Sequence, residues 1–152
     1  MLPPELAPSD TPTLVSGEPH GKSTILVVGV GSSHGDDQVG WFVAKELMQR
    51  SMRNCQVRIA ATPLEILNWL EDFTLVHVID ACQGGGPPGT IYRFSWPCSE
   101  IGQREWSGTH DFDLASVLGL AHQLDQLPSR VFVWGIEMNS THRQVDAPSN
   151  EV

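Results

Sequence analysis

Two adjacent carboxylates, Asp36 and Asp37, a third at Asp80 and an imidazole at His110 are the side chains best suited to chemistry. Two carboxylates and one imidazole, with coordination positions left open, suit a divalent cation of borderline character such as Zn²⁺ or Ni²⁺. Such an ion polarises a carbonyl or lowers the pKa of a bound water. Each residue also has a plainer role open to it. Asp36 would cap a helix and Asp37 complement its dipole. Asp80 would hold a glycine-rich loop through N–H bonds. His110 would lie at the surface, with Asp111 or Asp113 capping the next helix. Cys82, two residues from Asp80, is a thiol nucleophile by position alone, with no base identified beside it. His34 sits on a turn and faces solvent. His77 alternates with apolar residues and is a structural histidine. His20, His122 and His142 are assigned no role. There is no G-x-S-x-G and no H-E-x-x-H, which removes two common hydrolase classes.

These residues need elements to bring them together. An apolar strand over 23–28 runs into Gly29, Gly31 and Gly35. Asp36 and Asp37 then open a helix, with Val39, Phe42, Val43 and Leu47 on one face. The glycines mimic a dinucleotide fingerprint, but the third is one residue late for G-x-G-x-x-G. The two carboxylates also stand where a pyrophosphate would go, so a nucleotide-binding domain is the weakest reading. A second strand covers 56–61. Thr62, Pro63 and Glu65 then start a short helix over 63–71, with a capping box and with Leu64, Leu67, Trp69 and Leu70 inward. A third strand over 75–80 ends in Asp80, and a glycine-rich loop follows over 81–89. A strand at 90–96 has unlike faces, and 97–108 is polar with turn residues. His110 precedes a helix on Leu114, Val117, Leu118, Ala121 and Leu124. The last strand is 130–136. Strands alternating with helices give an α/β fold in three layers, α/β/α, around a twisted, mostly parallel sheet of about five strands. Ligands in such sheets bind beyond the carboxyl ends of the strands. Asp36, Asp37, Asp80 and His110 all fall at that rim.

The domain runs over 23–138, after a flexible leader at 1–22 and before a polar tail at 139–152. A net charge of −9 argues against nucleic acid or an anionic membrane as partner. No run of about 20 apolar residues exists to span a bilayer, and no secretory signal is visible at the N-terminus. Three scattered cysteines (Cys55, Cys82, Cys98) suggest neither a disulfide framework nor a thiolate zinc site. A reducing compartment, the cytoplasm, is the simplest setting.

Four blocks resemble the hydrogenase maturation proteases, endopeptidases that process the large subunit of [NiFe] hydrogenases. The first is Val28-Gly29-Val30-Gly31 through Gly35-Asp36-Asp37-Gln38-Val39-Gly40, similar to G-x-G-N…D-[DE]-x-x-G. The second is Val78-Ile79-Asp80-Ala81, then Pro88-Gly89-Thr90-Ile91. The third is Thr109-His110 with the helix starting Asp113-Leu114. The fourth ends Gly135-Ile136-Glu137. The resemblance spans about 24–138. It implies a twisted α/β sheet and a nickel-recognition site, which by motif position is Asp37, Asp80 and His110. It implies removal of a C-terminal peptide from a nickel-loaded large-subunit precursor, with the nickel carried by the substrate and zinc or another divalent cation able to substitute. Cleavage would use the metal as Lewis acid, or Asp37 or Asp80 as base for a water, so Asp37 and Asp80 are the candidate catalytic residues. An alternative on the same fold is a non-catalytic, nickel-responsive binding or chaperone-like module. Ser32-Ser33-His34 departs from the family's Asn and apolar residue. Residues 140–152 show no amphipathic helix where the family usually has its last one. A missing C-terminal helix would uncover apolar surface near the first and last strands.

Overall fold

The computed structural model describes residues 24–107 and 112–139. In chain order the strands are β1 (Ile25–Val30), β2 (Cys55–Ala60), β3 (Leu75–Gln83), β4 (Ile91–Ser95), β5 (Glu105–Trp106) and β6 (Arg130–Glu137). The helices are α1 (Val39–Met48), α2 (Ser99–Gly102) and α3 (Leu114–Gln123). The sheet has the order β2-β1-β3-β6-β4, with β5 paired to the end of β3. β1, β2, β3 and β6 are parallel, while β4 and β5 run antiparallel to their neighbours. The expected α/β sheet is thus present with six strands. The sixth is the two-residue β5, too short to show a period.

Alternation along each strand feeds two layers. Leu26, Val28, Val76, Val78, Val131 and Val133 pack with Ile66, Leu70, Leu114 and Leu118. Val27, Ile79 and Ile136 face the other way, toward Val39, Val43 and Leu47 of α1. The side chain at position 80 follows those at 76 and 78, so it points to the α3 side.

Several local expectations are corrected. The segment after Thr62 is not one α-helix but two 3-10 stretches, Pro63–Asn68 and Leu70–Asp72. Glu65 does turn back, but it accepts from the Ala61 N–H at 2.8 Å, and Thr62 makes no side-chain cap bond. Leu67, Trp69 and Leu70 pack toward the core as expected, together with Ile66, while Leu64 is 40 % exposed. Leu124 falls just past α3 and is exposed. β3 runs three residues beyond Asp80, because β6 pairs it as far as Cys82 and β5 pairs Cys82 and Gln83. Asp80 therefore lies inside a strand rather than at its end. The leader, the C-terminal tail and any helix within that tail fall outside the described residues. Among the described residues no helix follows β6, and no helix is long and apolar enough to cross a membrane. A groove of about 520 Å³ lies beside α1, lined by Ile25 and Val27 of β1 and by Trp134 and Ile136 of β6.

One close contact sets how α1 meets the sheet. A Cβ on Gly40 would collide with the Val30 carbonyl and lie 2.6 Å from the Ile79 carbonyl, and a Cβ on Gly29 would collide with the Gly40 carbonyl. The start of α1 thus rests directly on backbone at the carboxyl ends of β1 and β3. Gly40→Ala is predicted to destabilise the fold by about 1–3 kcal/mol, the usual cost of overpacking, measured as a lower urea midpoint at unchanged slope. A midpoint equal to that of the wild type would contradict the contact.

Candidate active site

Asp37 sits on a 3-10 turn, Gly35–Gln38, between β1 and α1. The turn is entered through Gly35, whose φ of 53° is the left-handed region open to glycine. It is closed by backbone bonds from the Ser32 N–H to the Asp37 carbonyl and from the Asp37 N–H to the His34 carbonyl, both 3.1 Å. The Ser32 hydroxyl donates to Asp37 Oδ2 at 3.4 Å. The departure at Ser32-Ser33-His34 therefore still builds a turn that grips this carboxylate. His34 is exposed, as expected. Asp37 is 9 % exposed. Asp36 is buried and accepts from the Asn139 N–H at 2.8 Å, which ties the turn to the residue just beyond β6. It does not cap α1, whose N-cap position is Gln38.

Asp80 is 0 % exposed. β1 leaves the sheet one position before it, since the last β1–β3 pair is Gly29 with Ile79. On its other side it pairs with Gly135, which brings no side chain against it. Its Oδ1 accepts from the hydroxyl of Ser107, itself buried, while Oδ2 has no hydrogen-bond partner among the described residues. Burial pushes the Asp80 carboxyl well above the usual range. The Ser107 and Ala81 hydrogen bonds pull it back, and the charge of Asp37 pushes it up again. The two carboxylates are thus close enough to repel.

Asp80 does not hold the glycine-rich loop. That role falls to Glu137, 2 % exposed, whose Oε1 accepts from the Gly84 N–H at 2.9 Å and the Gly85 N–H at 3.1 Å. Arg104 Nη1 lies 3.6 Å from its Oε2, and the guanidinium covers the Tyr92 ring. Cys82 is buried, and burial first, then the Glu137 charge, pushes its thiol up to about 12. It stays protonated at neutral pH and is no nucleophile. His77 is structural, accepting from Trp134 Nε1 at 3.0 Å and stacking on Phe132.

His110 lies outside the described residues, in the gap at 108–111. Its neighbours on both sides are anchored. Ser107 bonds to Asp80, and the Asp113 carboxylate caps α3 by accepting from the Ser116 N–H at 2.7 Å. Among the described residues no three His, Cys, Asp or Glu side chains gather as a metal site. What they bring together is the carboxylate pair. Ser32 and Ser107 were missed in the sequence because serine is common in turns; only the position of Ser107, three residues before His110, singles it out.

A family profile described as hydrogenase maturation protease, HycI, matches residues 42–149, which is 108 of the 152. The chain belongs to the hydrogenase maturation protease family. The matched stretch contains Asp80 and His110 and begins just after the Asp37 turn. No curated protein matches the chain. Among solved structures, the hydrogenase 2 maturation peptidase from Thaumarchaeota archaeon SCGC_AB-539-E09 is 26 % identical, with TM-score 0.61 over 84 % of this chain and 86 % of that one. The hydrogenase maturating endopeptidase HybD from E. coli shares the fold at 20 % identity, with TM-score 0.65 over 84 % and 82 %. The endopeptidase HycI from Escherichia coli shares it at 22 % identity, with TM-score 0.67 over 84 % and 81 %.

In this maturation protease the raised Asp80 carboxyl has a consequence for stability. The folded chain holds that proton more tightly than the unfolded chain. The stability so contributed is complete below the ordinary carboxylate value and is lost as pH rises through the higher value in the fold. Asp80→Asn, which cannot ionise, is predicted to unfold at higher urea than the wild type at neutral pH. The difference should close as pH falls toward about 3.9, the unperturbed value. Equal midpoints across the range would contradict the burial of an ionisable Asp80.

Proposed function

We propose that this chain is an endopeptidase that removes the C-terminal peptide of a nickel-loaded [NiFe] hydrogenase large-subunit precursor, with Asp37, Asp80 and His110 engaging the nickel. Family membership supports the maturation endopeptidase. The observation that carries the finer reading is the carboxylate pair at the rim, with Asp80 wholly buried and its Oδ2 without a hydrogen-bond partner among the described residues.

Two carboxylates pressed together away from water repel, and each loses its hydration. A divalent cation arriving with the substrate relieves both costs. Two carboxylates and one imidazole are too few donors to hold a free ion firmly. A precursor that brings its own metal and further ligands completes the coordination, and a nickel-free precursor does not. That difference in affinity is the specificity. Zinc or another divalent cation would occupy the same donors as a substitute. Peptide hydrolysis adds one water across the scissile amide. Asp37 or Asp80 takes the proton of that water, or the cation lowers its pKa, and both carboxylates stand at the centre in either case. The free cysteines fit a reducing compartment, and we place the reaction in the cytoplasm.

Asp37→Asn, Asp80→Asn and His110→Ala are each predicted to slow shortening of nickel-loaded precursor at least about 100-fold, read as the ratio of precursor to mature band over time. Nickel-free precursor should stay full length with the unaltered protein. An unaltered protein that binds loaded precursor but never shortens it would favour the non-catalytic module instead.

A further inference from the structure

We propose that Ser107 is a positioning residue of this site, holding Asp80 so that one carboxylate oxygen is presented to the cation. The proposal rests on Asp37, Asp80 and His110 being the site.

Ser107 is buried and makes two bonds to one short stretch of β3. Its hydroxyl donates to Asp80 Oδ1, and its N–H donates to the Ala81 carbonyl at 3.0 Å. The residue before it is fixed independently. Trp106 pairs with Cys82 in β5, its Nε1 donates to the Ile101 carbonyl at 2.8 Å, and its ring meets the edge of Phe94. Ser107 therefore arrives at Asp80 on rigid backbone. A carboxylate on a two-torsion side chain, with one oxygen engaged, can no longer rotate freely. Its second oxygen then has one direction, and Oδ2 is the oxygen without a hydrogen-bond partner among the described residues. A cation bound through Oδ2 would meet a ligand already oriented. Outer partners of this kind commonly change metal affinity or activity by about 10–100-fold.

The test compares Ser107→Ala, Ser107→Thr and Asp80→Asn with the wild type. Three measurements are made: Ni²⁺ affinity of the protein alone by competition with a chromophoric chelator, kcat and KM for nickel-loaded precursor, and melting temperature. Ser107→Ala keeps the backbone bond to Ala81. The expected result is a melting temperature within a few degrees of the wild type. Ni²⁺ affinity and kcat/KM should each fall at least about 10-fold, and Ser107→Thr, which keeps the hydroxyl, should restore both. If the threonine methyl does not fit and that variant melts early, the alanine variant decides alone. Wild-type affinity and kcat/KM in Ser107→Ala, with Asp80→Asn inactive, overturns the role of Ser107 and leaves the site standing. Losses in Ser107→Ala that merely track a lowered melting temperature also overturn it. Full activity in Asp80→Asn overturns the site itself.

Discussion

A carboxylate with no exposed surface beside a second carboxylate is an arrangement that a fold tends to eliminate. Removing an ionised group from water costs several kcal/mol, and a like charge nearby adds to the cost. Asp80 nevertheless stands in the middle of the longest strand, near Asp37. Its environment is only partly compensating: one serine hydroxyl, nearby backbone N–H groups, and no positive side chain among the causes that shift it. The surrounding rim of the sheet keeps the pair in place.

The sheet does so through unequal strand lengths. β1 stops at Val30, while β3 continues to Gln83 and β6 to Glu137. The step between them makes room for the turn that carries Asp37. α1 is pressed against the step by the Gly29–Gly40 contact, so turn and strand cannot drift apart without losing core. Asp36 fastens the turn to Asn139, and Glu137 gathers the glycine-rich loop out of the way. Each of these residues is a carboxylate with a structural task. Asp80 differs from Glu137 in that no positive side chain stands among the causes that shift it, whereas Arg104 lies 3.6 Å from Glu137.

Much of this was legible before any coordinates. The runs of β1, β2 and β6 and the faces of α1 and α3 show in periods of two and 3.6, because burial on one side is what shapes them. Asp113 precedes the apolar face of α3 where a cap belongs, and the alternation of His77 with apolar residues marks it as structural. The overrun of β3 was not legible. Ala81, Cys82 and Gln83 have weak strand preference and are held by partners distant in sequence. Nor was the 3-10 character of 63–72, where a proline and a capping signal suggest an α-helix but tertiary packing selects Ile66 and Leu70. The carboxylates Asp37 and Asp80 stand out by type and by following apolar runs. Ser32 and Ser107 do not, since a hydroxyl gains meaning only from what it touches.

We propose that nickel carried by a precursor meets the donors of this rim. The decisive measurement is nickel-edge X-ray absorption of the loaded precursor, taken alone and with one equivalent of this protein and frozen before cleavage completes. Added oxygen and nitrogen scatterers around nickel are expected, with the multiple-scattering signature of one imidazole. Superimposable spectra from the two samples, with binding demonstrated in the same tube, would contradict it.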